Sequence, residues 1–241
     1  MVIVDRRFLT SEVLAALEPV FARIESEFQP LNGKTIAICP AAPEDLVFRL
    51  AARVGNGNVI GIAPERSRRK ELEARLKKDR LEDRLTFKHR GVFLDTFPLR
   101  ASTVDGFLYG LEAFWTDEAD YAIWSPTDNC KALRPGGVYL ELAINQKKPV
   151  PEQVLLAFDS LDVNPSFEPE IDPYLDSLRS AGLRDISMTD ITDLFIPAWR
   201  LCRDHPRFEE DVQNFIWLLD DPSTRLGVAM DYVLIKGTKG P

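Results

Sequence analysis

Histidine is almost missing from this sequence, which contains two, His89 and His205. Cysteine is scarce as well: Cys39, Cys130 and Cys202 stand far apart and outside any CxxC spacing. A structural zinc needs clustered thiolate and imidazole ligands, so no metal site is expected. Cys202 and His205 lie close in sequence, but no third ligand or base accompanies them. The odd, dispersed set of thiols excludes a disulfide framework and suits a reducing compartment. No apolar run approaches the ~18 residues of a membrane span, and the start MVIVDRRFLTSEVL lacks the apolar core of a signal peptide. A cytoplasmic protein without a membrane partner is the expectation. Basic charge is also short, with 30 Lys and Arg against 38 Asp and Glu and a formal net charge of -8. Nucleic-acid binding calls for a basic footprint, and no Asn-Pro-Pro-Tyr-like base-flipping signature occurs. A nucleic-acid partner is therefore not expected.

What is present is an ordinary globular composition, 45% hydrophobic and 28% charged over 241 residues. That length suits one large α/β domain able to bury a core without staples. Residues 10 to 28 carry an apolar stripe of helical period (Val13, Leu14, Leu17, Val20, Phe21, Ile24, Phe28) with Thr10 or Ser11 as cap. Pro19 falls inside it and predicts a kink or split. Beyond the turn at Leu31 to Lys34 the pattern changes. Short apolar runs predict strands at Thr35 to Cys39, Val59 to Ala63, from Leu85, at Val104 to Tyr109 and at Val138 to Ala143. Amphipathic stretches predict helices at Glu44 to Arg53, Glu65 to Lys78 and Glu118 to Leu133, the last closed by a sharp turn at Arg134 to Gly137. Alternating strands and helices make βαβ units and a parallel sheet, with right-handed crossovers. Further on, Pro173 to Ala181 reads as a helix stopped by Gly182, Leu183 to Thr189 as a strand, residues 191 to 220 as helical, and Asp231 to Gly237 as the last strand. Residues 1–33 form an amino-terminal helical segment, 34–241 the α/β domain, and about 144–220 a cap or lid insertion.

The order of these pieces resembles the Rossmann-like (class I) S-adenosylmethionine (SAM) methyltransferases, from about Lys34 to Lys239. The landmarks are VIGI at Val59 to Ile62, LRPGG at Leu133 to Gly137, and the ending AGLRDISMTD…MDYVLIKGTK. The resemblance implies a doubly wound seven-stranded sheet of order 3-2-1-4-5-7-6, strand 7 antiparallel, with the ligand outside the carboxyl ends of the strands.

It also implies a glycine-rich turn after the first strand, an acidic residue ending the second for the ribose, and another after the third for the adenine. The sequence departs at all three places. Cys39-Pro40-Ala41-Ala42-Pro43 stands where the family has GCGxG, with Cys39, Ala41 and Pro43 at the glycines. Ala63 takes the ribose position and Val92 the adenine position. Proline removes a backbone donor, and alanine forced to positive φ costs about 1 kcal/mol. Glu65, Glu44, Asp45 and Asp95 are the acidic residues placed to compensate. The expectation is a degenerate SAM crevice and no cofactor, SAM binding only if those residues make good the loss.

Catalytic candidates in the family's zones are His89, Tyr109, Asp117 and Glu141, each also readable as a structural residue. Cys39 reads as a thiol at a helix start or as a small buried apolar side chain. Trp115, Trp124, Trp199 and Trp217, with Tyr109, Phe114 and Tyr121, read as an aromatic pocket for a small apolar molecule or as core. The run Arg66 to Lys70 reads as a solvated helix face. Two functions follow: a methyltransferase relative that no longer methylates, serving as a partner subunit (a homodimer included) or carrying other small-molecule chemistry; or a methyltransferase with a divergent cofactor site.

Overall fold

The computed structural model describes residues 10–41, 43–62, 68–88, 98–110, 126–148, 171–203, 225 and 227–241. Along the chain run α1 (Ser11–Ala16), α2 (Glu18–Glu27), β1 (Thr35–Cys39), α3 (Glu44–Arg53), β2 (Asn58–Ile62), α4 (Arg69–Asp79), β3 (Leu85–Lys88) and β4 (Val104–Tyr109). Then come α5 (Pro126–Ala132), β5 (Leu133–Gln146), α6 (Ile171–Ser180), β6 (Leu183–Asp190), α7 (Thr192–Arg203) and β7 (Met230–Lys239). The strands form one sheet in the order β3-β2-β1-β4-β5-β7-β6. The pairs from β3 through to β5 are parallel, and β7 runs antiparallel between β5 and β6. The topology expected from the resemblance is the one found.

Strand alternation sorts the core into two layers. Ile36 and Ile38 of β1, Leu108 of β4, Leu140 and Leu142 of β5 and Leu234 of β7 face α1, α2, α3 and α7. Ala37, Cys39, Phe107, Tyr109, Tyr139, Val233 and Ile235 face the other way, toward α5 and α6. Each fully buried Leu, Ile or Phe contributes roughly 1.5–3 kcal/mol, so a one-residue slip of any central strand would exchange the two layers and is strongly disfavoured.

Local signals behave as expected at the amino terminus. Thr10 Oγ1 accepts from Val13 N at 3.3 Å, and the stripe divides at Leu17, with Pro19 in the first turn of α2 where its missing N–H costs nothing. Gly182 closes α6 at a φ of 91°. At LRPGG the expected turn lies inside the strand. Leu133 already pairs with Val104, and pairing resumes at Gly106↔Val138, so residues 134–137 bulge out of β5. Asp105 holds the bulge: one carboxylate oxygen takes Arg134 at 2.8 Å and the other takes Thr35 N of β1 at 2.8 Å. Strand β2 begins one residue earlier than expected, at Asn58. The helix expected over Glu118 to Leu133 is described as Pro126–Ala132, with Leu133 already in β5, and the helical stretch expected over 191–220 as Thr192–Arg203; residues 118–125 and 204–220 lie outside the described residues. Only Leu183 of β6 is buried, because this strand forms the sheet edge.

A charge network ties α2 to α3 and β7. Glu25, buried, accepts from Arg49 at 2.8 Å and from Arg53; Glu27 pairs with Arg23 at 2.5 Å and with Lys236 at 2.7 Å. Burial pushes the Glu25 carboxyl up, but Arg53 and Arg49 outweigh it and hold it below its ordinary value of 4.5. A depressed folded pKa gives stability that is complete above that ordinary value and is lost as pH falls through the folded one. The melting temperature of Glu25→Gln should therefore lie below wild type at pH 7, by an amount worth on the order of 3 kcal/mol, and converge on it as pH falls below 4.5. A constant gap across that range would show that the network is not titrating.

Candidate functional site

In open α/β sheets the ligand crevice lies at the carboxyl ends of the strands. Here the ladder brings three of the expected residues into one row: Cys39 of β1 pairs with Tyr109 of β4, and Tyr109 with Glu141 of β5. Shared register on adjacent strands puts their side chains on one face, that of α5 and α6.

Cys39 is buried, and burial pushes its thiol well above the ordinary value. A thiolate there would lack the support that reactive cysteines need, so Cys39 belongs to the apolar layer. The Cys39–Pro40 peptide is cis. Ala41 is buried; its N–H donates to Ile62 O of β2 at 2.8 Å. Its methyl lies against Gly61, where an added Cβ would come within 3.0 Å of Ala41 Cβ and 2.7 Å of the Phe87 ring. Pro43 leads into α3 without a side-chain cap.

Glu44, placed by the sequence to meet a ligand amino group, is buried and bonded to Arg68 at 2.7 Å. Arg68 also pairs with Glu71, and these two carboxylates hold its guanidinium charged. Arg68 thus turns inward from a run read as a solvated face. Asp45 pairs with Arg75 at 2.8 Å on the surface. Ala63, Glu65, His89, Val92, Asp95 and Asp117 lie outside the described residues.

Glu141 is buried at 3% exposure. Its Oε2 accepts from the Tyr139 hydroxyl at 2.8 Å, and the Tyr174 hydroxyl lies 2.7 and 2.5 Å from the two carboxylate oxygens. Tyr139 is fully buried on the same strand, whereas Tyr174 is half-buried and comes from α6. Burial first, then the Glu141 charge, push both phenols up, so they stay neutral donors. The sequence reading missed Tyr139 and Tyr174. Tyr139 was within reach of a pattern argument, since residues two apart on a strand share a face; nothing local marked Tyr174.

Of the aromatic group, Trp199 is core: its Nε1 donates to Tyr232 Oη at 3.0 Å, beside a Phe195–Tyr232 stack of 4.2 Å. Trp115, Trp124, Trp217, Phe114 and Tyr121 lie outside the described residues. Among the described residues no group of three or more His, Cys, Asp and Glu is placed to hold a metal ion, and no helix is long and apolar enough to cross a membrane.

No protein-family model matches the sequence, and no curated protein matches it. Solved structures do match by shape. A geranyl diphosphate methyltransferase in complex with SAM superposes with a TM-score of 0.70 at 19% identity, covering 94% of this chain and 88% of that one. The 4+2 cyclase SpnF superposes at 0.65 and 15% identity, over 92% of this chain and 80% of that one. A Haemonchus contortus phosphoethanolamine N-methyltransferase 2 in complex with SAM superposes at 0.67 and 13%, over 92% of this chain and 53% of that one. With the strand order and the antiparallel β7, these matches establish that the chain has the class I SAM-dependent methyltransferase fold.

Proposed function

We propose that this chain keeps the methyltransferase scaffold without binding SAM or transferring methyl groups, and that its crevice serves a non-methylating step on a small molecule in biosynthesis. The observation that carries the reading is the loop after β1. Pro40 and Pro43 have no N–H to offer a ligand, the Ala41 N–H is spent on Ile62 O, and the Glu44 carboxylate is taken by Arg68. A charge-assisted hydrogen bond contributes about 1.5–3 kcal/mol. Losing two such bonds weakens binding by about 10³-fold, at ~1.4 kcal/mol per decade.

Two further observations support small-molecule chemistry over a role as partner subunit. One is the Tyr139–Glu141–Tyr174 cluster, which sets a buried carboxylate with its phenol partners level with the carboxyl end of β4. The other is that a protein named as a cyclase has a similar fold. A cytoplasmic setting accords with three cysteines of which none is in a disulfide.

The competing reading, a methyltransferase with a divergent site acting on a small apolar acceptor, is favoured by neighbours whose structures hold SAM. Calorimetric titration of the purified chain with SAM and with S-adenosylhomocysteine separates the two. We expect no saturable heat up to about 1 mM, three decades above micromolar binding. Micromolar affinity for either compound would overturn this reading.

A further inference from the structure

We propose that Tyr174 is an internal stand-in for a phenolic ligand, and that the natural ligand of this crevice docks by giving its own phenol hydroxyl to Glu141 in place of Tyr174. The proposal rests on the small-molecule reading above and names the ligand class.

The two phenols that meet Glu141 among the described residues differ in how they are held. Tyr139 is built into β5, fully buried and stacked near Phe107 at 6.3 Å, and bonds one carboxylate oxygen. Tyr174 reaches in from another element, is half-buried, and spans both oxygens. A phenol donating to a carboxylate forms a charge-assisted bond about twice as strong as a neutral one. When a ligand phenol replaces the Tyr174 phenol, one such bond breaks and one of the same kind forms. The exchange is then nearly balanced in hydrogen bonding, and the net affinity comes from burying the ligand ring.

The surroundings suit a flat ring. Tyr109 stands beside Glu141 in the ladder on the same face, and aromatic neighbours favour offset or edge contacts with another ring. The apolar layer next to them holds Cys39, Ala143 and Leu178, with Leu175 of α6 packed against it. An ammonium ligand would have to shed its hydration at a carboxylate that two phenols already meet, a poor exchange.

The test is calorimetric titration of the full chain with 4-methylphenol, the fragment Tyr174 itself carries, and with 4-methylanisole, the same shape lacking a donor. Wild type, Tyr174→Phe and Glu141→Gln are compared. Tyr174→Phe removes the competing hydroxyl and keeps the ring, so 4-methylphenol should bind about tenfold or more tightly than to wild type. Glu141→Gln removes the charge, and binding should weaken by about tenfold or more. 4-Methylanisole should give no saturable heat with any of the three. Equal affinity of wild type and Tyr174→Phe, binding of the anisole as well as the phenol, or no binding by any of the proteins overturns the proposal. Should circular dichroism show Tyr174→Phe unfolded, Tyr174→Leu is read by the same criteria. If SAM binds and the phenol pattern also holds, the non-methylating reading fails and this docking site stands. If SAM does not bind and the phenol pattern fails, the converse holds.

Discussion

Replacing Gly57 by alanine should lower stability by about 3 kcal/mol or more, a fall of roughly 6–12 °C in melting temperature for a chain of this size. Gly57 lies where two turns interlock at the amino ends of β1 and β2. Its N–H donates to Val54 O at 2.8 Å, Gly33 N donates to the same carbonyl at 2.9 Å, and Asn58 N donates to Lys34 O at 2.9 Å. A Cβ at Gly57 would lie 2.2 Å from Lys34 O, 2.8 Å from Lys34 N and 2.9 Å from Gly33 C. All three are backbone atoms, so no side-chain rotation relieves the clash. The turns must separate, and with them the Thr35↔Asn58 pairing that starts the parallel ladder. Thermal unfolding followed by circular dichroism measures the effect. A fall of under about 3 °C, equivalent to about 1 kcal/mol, would mean that the interlock yields easily.

Trp199→Ala should cost about 3–5 kcal/mol, the range for removing a large buried aromatic side chain. Trp199 is 4% exposed, on the face of α7 turned to β7, and its indole N–H donates to the Tyr232 hydroxyl. Tyr232 stacks on Phe195 one turn earlier, and its backbone N–H donates to Thr192 Oγ1 at 2.9 Å. These contacts join α7 to the sheet, and the same apolar cluster takes in Val13 and Leu17 of the amino-terminal helices. Trp199→Phe keeps most of the ring volume and removes the donor, so it should cost about 1–2 kcal/mol. Urea denaturation of the two variants gives both values. If Trp199→Ala were as stable as wild type, Trp199 would be lining a pocket and not holding the core, which is the other reading its sequence pattern allowed.

Much of the fold was legible because the signals are local. Thr35 to Cys39, Glu44 to Arg53 and Val104 to Tyr109 are β1, α3 and β4 to the residue, each a single-period run bounded by turn residues. Pro19 and Gly182 acted where their backbone restrictions apply. LRPGG was legible as an interruption but not as a bulge, because the Leu133↔Val104 pair before it depends on a neighbouring strand. Arg68 was unreadable for the same kind of reason. Five polar residues in a row look solvated whichever one of them turns inward, and its direction is set by Glu44 on another helix.

The sequence by itself determined the kind and order of most elements, and its resemblance to a known family implied the sheet topology. Periodicity, caps and turns act within a few residues, and right-handed crossovers leave few ways to join such pieces. It also determined that Pro40 and Pro43 offer no N–H, since that is covalent chemistry. The tertiary structure alone decided which side chains meet. It laid Cys39, Tyr109 and Glu141 in one row, brought Tyr174 onto Glu141, and joined Glu27 to Lys236 across 209 positions. Such contacts are fixed by strand register and by helix packing over the whole chain, and no short window of sequence contains both partners.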